Sequence, residues 1–233
     1  MCVFHGIRLL RLIRIGCRET TNLIFSLLEN ENKSLFIVHF AHFFVPSQAE
    51  TYKTKKRMTM EFKDLVQMRR SHRKFTDEEI DGEDVKLILR AALMSPTSKG
   101  QRGWEFVVVD DKMDLEKLSD AKDLGGQFLK NAPLAIVVLG DPMQNDCWVE
   151  DGSIAAISMQ YQAEALGLGS CWIQMRGRGL TDGTSADTVI QGVLGIPENL
   201  SCLCILALGH KADERKPQNE DKLKWENVHL DKY

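Results

Sequence analysis

Apolar and polar residues recur in regular patterns from about residue 60 to residue 209, and their spacing predicts five helices and four strands. Val85, Ile88, Leu89 and Ala92 follow the i, i+3, i+4, i+7 pattern of a helix with one buried face. The other helices are predicted at residues 62–68, around Leu115 and Leu118, at residues 151–166 and at residues 186–193. Apolar runs at residues 105–109, 132–140, 170–175 and 201–209 predict the strands.

The order of these elements indicates an α/β or α+β domain around one central sheet, and we assign residues 60–233 to it. Residues 105–109 ("EFVVV") are β-branched and nearly continuous, which is typical of a strand buried on both faces. Thr76 and Glu79 have capping-box spacing and predict the start of the second helix. This helix should end before Pro96, because proline cannot continue the hydrogen-bond ladder.

Residues 1–59 follow a different pattern. Four arginines recur at helical spacing among Leu and Ile within residues 8–18, which predicts a basic amphipathic helix. The apolar run at residues 35–45 is shorter than the roughly 20 residues needed to cross a bilayer. The segment could be a targeting or membrane-surface element, an ordered accessory element, or sequence upstream of a native start at Met58 or Met60. We favour the last, so we expect an extension that is disordered or not part of the native chain.

The net charge of −3 conceals an asymmetry between these two regions. Of 30 Lys and Arg and 33 Asp and Glu, nine and four fall in residues 1–59, which leaves 21 and 29 in the remainder. Nucleic-acid affinity depends mainly on neutralising phosphates, so an acidic body disfavours a nucleic-acid partner. We also predict no membrane partner. A basic cluster within such a body is suited to one small anion.

The six cysteines include no C-x-x-C pair, which is unlike a disulfide framework or a zinc site. Cys202 and Cys204 are two residues apart in an apolar run, and a regular strand would place both on one face. We interpret the chain as a reduced, cytoplasmic protein with buried thiols.

The segment "RRSHRKF" (residues 69–75) holds the densest group of cations in the body. Arg69 and Arg73 are four residues apart, so a helical turn would place their guanidinium groups on one side, with Ser71 between them as a neutral donor. Guanidinium groups match phosphate oxygens in bidentate geometry. The same pattern also fits a solvated helix end whose cations counter the helix dipole.

The stretch "SPTSKGQRGWEF" (residues 95–106) places hydroxyls and backbone amides in a loop between a helix and a strand, where α/β proteins bind ligands. A plain connecting loop with Trp104 as a core residue is the alternative. The sequence contains no Walker phosphate loop, no H-E-x-x-H and no G-x-S-x-G, so a hydrolase has little support. "GRGLTDG" does not complete a dinucleotide-binding fingerprint.

Four stretches in order, "RRSHRKF", "SPTSKGQRGWEFVVVDD", "EALGLGSCWI" and "LALGH", resemble the FMN-dependent nitroreductase family over residues 60–233. The resemblance implies an α+β fold with a central mixed sheet flanked by helices. It also implies an intertwined homodimer with two FMN molecules at the interface. The implied activity is an FMN-dependent oxidoreductase that takes hydride from NADH or NADPH through flavin N5. It would reduce nitroaromatics, quinones or related acceptors with ping-pong kinetics. Because FMN carries the redox chemistry, we expect no metal and name no catalytic side chain.

The family's cofactor-binding residues carry over to matching positions of this chain. The residues expected at the FMN phosphate are Arg69, Ser71, Arg73, Lys211 and Arg215. Arg70, beside them, is expected at the flavin pyrimidine or the ribityl chain.

The family's Pro-Ser-Ser loop and its ring-lining segment also have counterparts. The loop falls on Pro96, Thr97 and Ser98, which would contact ribityl and ring atoms across the dimer. The ring-lining segment falls on Ile173, Gln174 and Met175, with a backbone amide expected near N5.

This chain departs from the family where Asn-x-Gln-Pro-Trp usually precedes the first strand. Gly100 replaces the Asn, which removes an expected flavin contact, and Arg102 adds a cation. A flavin-binding or storage protein without turnover is therefore an alternative, as is a divergent member such as a dehalogenase or an azoline oxidase. The apolar residues of the polar tail, residues 210–233, are expected either on the partner subunit or folded back on their own domain.

Overall fold

The computed structural model describes residues 60–233, so the expectations for residues 1–59 lie outside the described part of the chain. Within it, five α-helices and four strands follow one another in the predicted order. The helices are α1 (Phe62–Met68), α2 (Gly82–Leu93), α3 (Lys112–Ser119), α4 (Trp148–Ala165) and α5 (Ala186–Leu194). The strands are β1 (Trp104–Val109), β2 (Leu134–Gly140), β3 (Leu168–Gln174) and β4 (Ser201–His210).

The four strands form one sheet in the order β1-β2-β4-β3, which confirms the α+β class with a single central sheet. Each neighbouring pair of strands runs antiparallel. The mixed character implied by the resemblance is limited to one parallel bridge, between Ser71 and Ser170.

The sheet separates two layers of core. On one face, α2 and α4 pack with residues such as Ile88 and Met159 against β2 and β4. On the other face, α3 and α5 contribute Leu118 and Ile190 to the second cluster. Gly152 allows α4 to approach β4 closely, since a Cβ there would lie 2.7 Å from Leu203 Cδ2.

Strand β1 is an edge strand and is not buried on both faces, so that prediction was wrong. Trp104 and Val109 are buried, but Glu105 is exposed and the three residues between are only partly buried. The apolar run resembles that of a central strand, yet β1 pairs only with β2 among the described strands. Position in the sheet therefore decided the exposure.

Cys202 and Cys204 lie on opposite faces of the sheet, which also contradicts the prediction. Cys202 belongs to the cluster under α3 and α5, whereas Cys204 belongs to the cluster under α2 and α4. The register of β2 against β4 shifts between Val138 and Leu139, so Leu203 is the extra residue of a bulge and the alternation breaks there. The thiols of Cys147, Cys171, Cys202 and Cys204 are all free.

The capping box predicted at Thr76 is wrong as well. Helix α2 begins at Gly82, and the side chain of Asp81 caps it by accepting a hydrogen bond from Glu83 N at 2.8 Å. Thr76 lies in an extended stretch, and its backbone N–H donates to His210 O. None of the helices in residues 60–233 is both long and apolar enough to cross a membrane.

Candidate functional site

Residues 69–75, here called the basic segment, are extended rather than helical. Helix α1 ends at Met68, and Arg69 has φ −60° and ψ 120°. Ser71 forms an isolated backbone β-bridge with Ser170 of β3, and Phe75 forms another with Lys211. The predicted helical turn was therefore wrong. Because alternate residues of an extended chain share a side, Arg69, Ser71 and Arg73 can still act together.

These three residues all act on the thiol of Cys171 in β3. Cys171 is 1% exposed, and burial raises the pKa of its thiol. The charge of Arg73, a hydrogen bond with Ser71 and the charge of Arg69 all act in the opposite direction on that pKa. Arg69 is partly buried and Arg73 is exposed, so both cations are at least partly accessible to solvent.

Lys122 is a further cation of this group, and the sequence analysis did not identify it. It follows α3, is 8% exposed, and donates from Nζ to the carbonyl oxygen of Gln174 at 2.9 Å. Burial lowers the pKa of Lys122, and the charge of Arg178 lowers it further. Lys122 also acts electrostatically on Cys171. We call Arg69, Ser71, Arg73 and Lys122 the cation cluster.

The cation cluster is an unbalanced concentration of positive charge. Among the ion pairs between described residues, none joins Arg69, Arg73 or Lys122 to a carboxylate. Arg73 instead lies with its Cζ 5.8 Å from the ring centroid of Phe128. Holding a nearly buried lysine within the field of the Arg178 guanidinium is unfavourable without an anion. The arrangement therefore fits a phosphate or another anionic ligand.

Lys211 and Arg215, which were expected at the same phosphate, already have carboxylate partners. Lys211 Nζ lies 2.6 Å from Glu164 Oε1, and Glu164 is buried at the end of α4. Arg215 Nε lies 2.8 Å from Asp213 Oδ2. The structure thus divides the predicted phosphate residues into an unpaired group and a paired group, and the role of the paired group stays a prediction.

Arg70 points to the C-terminal tail. Its guanidinium Nη1 donates to the carbonyl oxygen of Lys216 and, at 3.5 Å, to that of Pro217. Arg70 alternates with Arg69 and Ser71 along an extended segment, which explains why it does not join them. Its predicted flavin contact stays a prediction.

The loop that contains Pro96, Thr97 and Ser98 is held by a buried carboxylate that sequence reasoning missed. Asp151 is 2% exposed; its Oδ1 accepts from Ser98 N at 2.7 Å and its Oδ2 from Asn145 Nδ2 at 2.8 Å. The Thr97 hydroxyl accepts from Arg102 N at 3.1 Å. An acid in the first turn of a helix looks like ordinary dipole compensation, so its sequence position gave no signal.

The loop departs from regular backbone geometry at two non-glycine residues. Lys99 and Arg102 both have positive φ, at 53° and 51°. Non-glycine residues rarely adopt this region. Trp104, two residues after Arg102, is 9% exposed, and its ring centroid lies 5.5 Å from that of Phe106.

At the predicted ring-lining segment, much of both the side chains and the backbone is engaged in contacts within the protein. Ile173 and Met175 are each 1% exposed in the core. Gln174 is partly exposed; its Oε1 accepts from Trp172 Nε1 and its Nε2 donates to Arg176 O. The Met175 N–H donates to Leu203 O at 3.3 Å. The Met175 amide, which lies in the segment where an amide near N5 is expected, is therefore engaged with β4, and the flavin contacts of this segment stay a prediction.

Comparison with known proteins identifies the family. The model of the nitroreductase family matches residues 66–210. This chain belongs to the nitroreductase family. It is accordingly an oxidoreductase, and the sequence resemblance is confirmed.

Several members of the nitroreductase family are similar over nearly their whole length. A protein of Archaeoglobus fulgidus named "Putative NADH dehydrogenase/NAD(P)H nitroreductase" is 34% identical over 174 residues, 72% of this chain and 97% of its own. A protein of the same name from Methanothermobacter thermautotrophicus is 32% identical, over 75% of this chain and 88% of its own. The solved structure of an FMN-dependent nitroreductase from Clostridium difficile R20291 is 48% identical, with a TM-score of 0.71, and the match covers 72% of this chain and 98% of that one.

Proposed function

We propose that this chain is an FMN-dependent oxidoreductase that uses NADH or NADPH to reduce nitroaromatics, quinones or related electron-poor acceptors. The observation that carries the proposal is the cation cluster, whose charges lack carboxylate partners among the described residues. The names of the similar proteins, which include FMN-dependent and NAD(P)H nitroreductases, support the same cofactor and electron donor here.

The residues of the cation cluster fit the polar groups of FMN. Arg69 and Arg73 supply guanidinium forks and Ser71 a hydroxyl, and these donors suit a phosphate dianion. Lys122, fixed at the Gln174 carbonyl, supplies a cation beside the ring-lining segment. A bound anion would offset the repulsion among these cations, so binding should stabilise the protein.

FMN, when bound, supplies the redox chemistry by accepting hydride from the nicotinamide and passing electrons to the acceptor. The protein's own residues bind and orient it. Ile173 and Met175, which are buried in the core, would exclude water from one side of the flavin, and the cation cluster would attract its negative charge. We assign no side chain as a general acid or base.

We propose a homodimer in the cytoplasm. The tail carries Leu223, Trp225, Val228 and Leu230, whose exposed fractions lie between 49% and 86%. Four large apolar side chains on a polar tail are costly to leave in water, and a second copy of the chain would cover them. The loop at Pro96, Thr97 and Ser98 would then reach the partner's flavin.

The decisive experiment is the visible spectrum of the purified protein after reconstitution with FMN, followed by anaerobic titration with NADH and with NADPH. We expect a flavin spectrum that is bleached by at least one nicotinamide and restored by a nitroaromatic or a quinone. Flavin that stays yellow in both titrations would indicate a storage protein. Protein that cannot be reconstituted would refute the proposal.

A further inference from the structure

Successive side chains of the basic segment have different partners. The charges of Arg69 and Arg73 and a hydrogen bond with Ser71 act on the thiol of Cys171 in β3. The C-terminal tail runs antiparallel to the segment. Its contacts are the backbone bonds Thr76 N to His210 O at 3.0 Å, Ala212 N to Lys74 O at 3.1 Å and Gln218 N to Gln67 O at 2.9 Å.

His72 is buried and contacts both the tail and β3. It is 3% exposed, and its Nδ1 lies 2.8 Å from Asp213 Oδ1. Its backbone N–H donates to Ser170 O at 3.0 Å. Gly169 makes room for it, since a Cβ there would lie 3.0 Å from His72 Cβ.

Asp213 is an ionised partner for this imidazole. Burial acts to raise the pKa of Asp213, but the hydrogen bond from His72 and the charge of Arg215 outweigh it, so the pKa lies below its ordinary value. An ionised carboxylate can only accept, so the hydrogen of the imidazole lies on Nδ1. His72 thus fixes the middle of the segment to a residue 141 positions away in sequence.

We propose that His72 is a positioning residue for phosphate binding, acting through its hydrogen bond to Asp213. This inference rests on the proposed function, in which Arg69, Ser71 and Arg73 bind the FMN phosphate. In an extended segment, the direction of residue 72 determines that of its neighbours 71 and 73, because successive side chains point to opposite sides. Holding the imidazole against Asp213 therefore holds Ser71 and Arg73 on the opposite side of the segment, where they act on Cys171.

The alternative is that His72 only fills space beside Gly169. The two roles make different predictions for ligands with and without a phosphate. A positioning role affects FMN, whose phosphate the segment binds, and spares riboflavin, which has the same ring and ribityl chain but no phosphate. A general packing defect weakens both ligands alike.

The experiment measures dissociation constants of FMN and riboflavin by flavin fluorescence for the wild type, His72→Leu, His72→Asn and Asp213→Ala. We expect His72→Leu and Asp213→Ala to weaken FMN about tenfold, the value of one lost hydrogen bond to a charged group, and riboflavin less than twofold. His72→Asn should recover most of the FMN affinity, because its amide can donate from near the position of Nδ1. His210→Asn, at a partly exposed histidine 3.8 Å from Glu78, is the matched control.

The outcomes separate this inference from the proposed function. A wild type that binds neither flavin refutes the proposed function. A wild type that prefers FMN, with His72→Leu and Asp213→Ala keeping the same preference, refutes the positioning role alone. Equal losses for FMN and riboflavin also overturn it, in favour of packing. If His72→Leu does not fold, Asp213→Ala decides, since it changes a more exposed side chain and leaves the histidine in place.

Discussion

The family resemblance assigned Arg69, Arg73, Lys211 and Arg215 to one phosphate, and the structure separates these four cations into two groups. Arg69, Arg73 and Lys122 have no carboxylate partner among residues 60–233. Lys211 and Arg215 are each paired, with Glu164 at 2.6 Å and Asp213 at 2.8 Å. A paired cation gains less from a new anion, because it must first give up the one it has. We therefore expect the anion to bind at the cations that lack a carboxylate partner.

The largest effect is expected from the unpaired group. The double variant Arg69→Ala/Arg73→Ala should bind FMN roughly a thousandfold more weakly, since hydrogen bonds between charged groups contribute about 1.5–3 kcal/mol each. Equilibrium titration of the apoprotein with FMN checks this. The variant should fold normally, because it removes like-charge repulsion. Arg90→Ala, at an exposed arginine in the last turn of α2, should keep wild-type affinity. An unchanged affinity in the double variant would remove the distinction between the groups.

The paired group should instead show its effect in stability. Lys211→Met leaves the Glu164 carboxylate, whose side chain is 5% exposed, without its cation. Removing one partner of a buried pair costs about 3–5 kcal/mol, and the lower end applies because Lys211 is 26% exposed. Urea unfolding of the apoprotein measures the loss, and Lys211→Met/Glu164→Gln should recover much of it. A loss of FMN affinity as large as in the double arginine variant would mean that Lys211 leaves Glu164 to bind phosphate.

Local patterns along the chain predicted most of the fold. The start of every strand lies within two residues of its predicted position, and α5 begins at Ala186 as expected. The spacing of apolar residues predicts which residues are buried, and in most elements of this chain the buried residues follow the spacing of the observed helix or strand. The errors at β1 and at Cys202 arose because position in the sheet and a bulge depend on neighbouring strands, which no short stretch encodes.

The candidate site was predicted less completely. "RRSHRKF" gave Arg69, Ser71 and Arg73 as a group, although the reasoning assumed a helical turn and the segment is extended. Lys122 lies in "DAKD", where a lysine between two aspartates resembles a solvated loop. Only the tertiary structure buries it beside Gln174. A cation like Lys122 can be recognised as a candidate ligand-binding residue only from its burial and its lack of a carboxylate partner, and both depend on the tertiary structure.

The variant Lys122→Met tests whether this buried cation binds FMN together with the other unpaired cations. Lys122→Met should weaken FMN binding about tenfold, by loss of one charged donor. The pKa of Lys122 is lowered by burial and by Arg178, so its charge is lost at a lower pH than that of an ordinary lysine at 10.5. Wild-type FMN affinity should therefore fall as pH rises through this lowered pKa, and the variant should lack this component. Lys130→Met, at an exposed lysine nearby in sequence, is the control. Identical pH profiles for the wild type and Lys122→Met would exclude Lys122 from the site.

The smallest effect concerns Asp213 in the paired group, through the acid dependence of stability. Its pKa is lower in the folded protein than the ordinary 3.8, since the hydrogen bond from His72 and the charge of Arg215 outweigh burial. The stabilisation is therefore complete above the unfolded pKa and is lost as pH falls through the folded pKa. Thermal melts of the apoprotein and of Asp213→Asn should differ by a constant amount above about pH 4 and converge below it. Asp77→Asn, at an exposed aspartate beside the basic segment, should not reproduce this convergence. Parallel curves for the wild type and Asp213→Asn down to the most acidic pH would mean that ionised Asp213 gains no stability from its pairing with His72 and Arg215. The contrast between paired and unpaired cations would then rest on Lys211 alone.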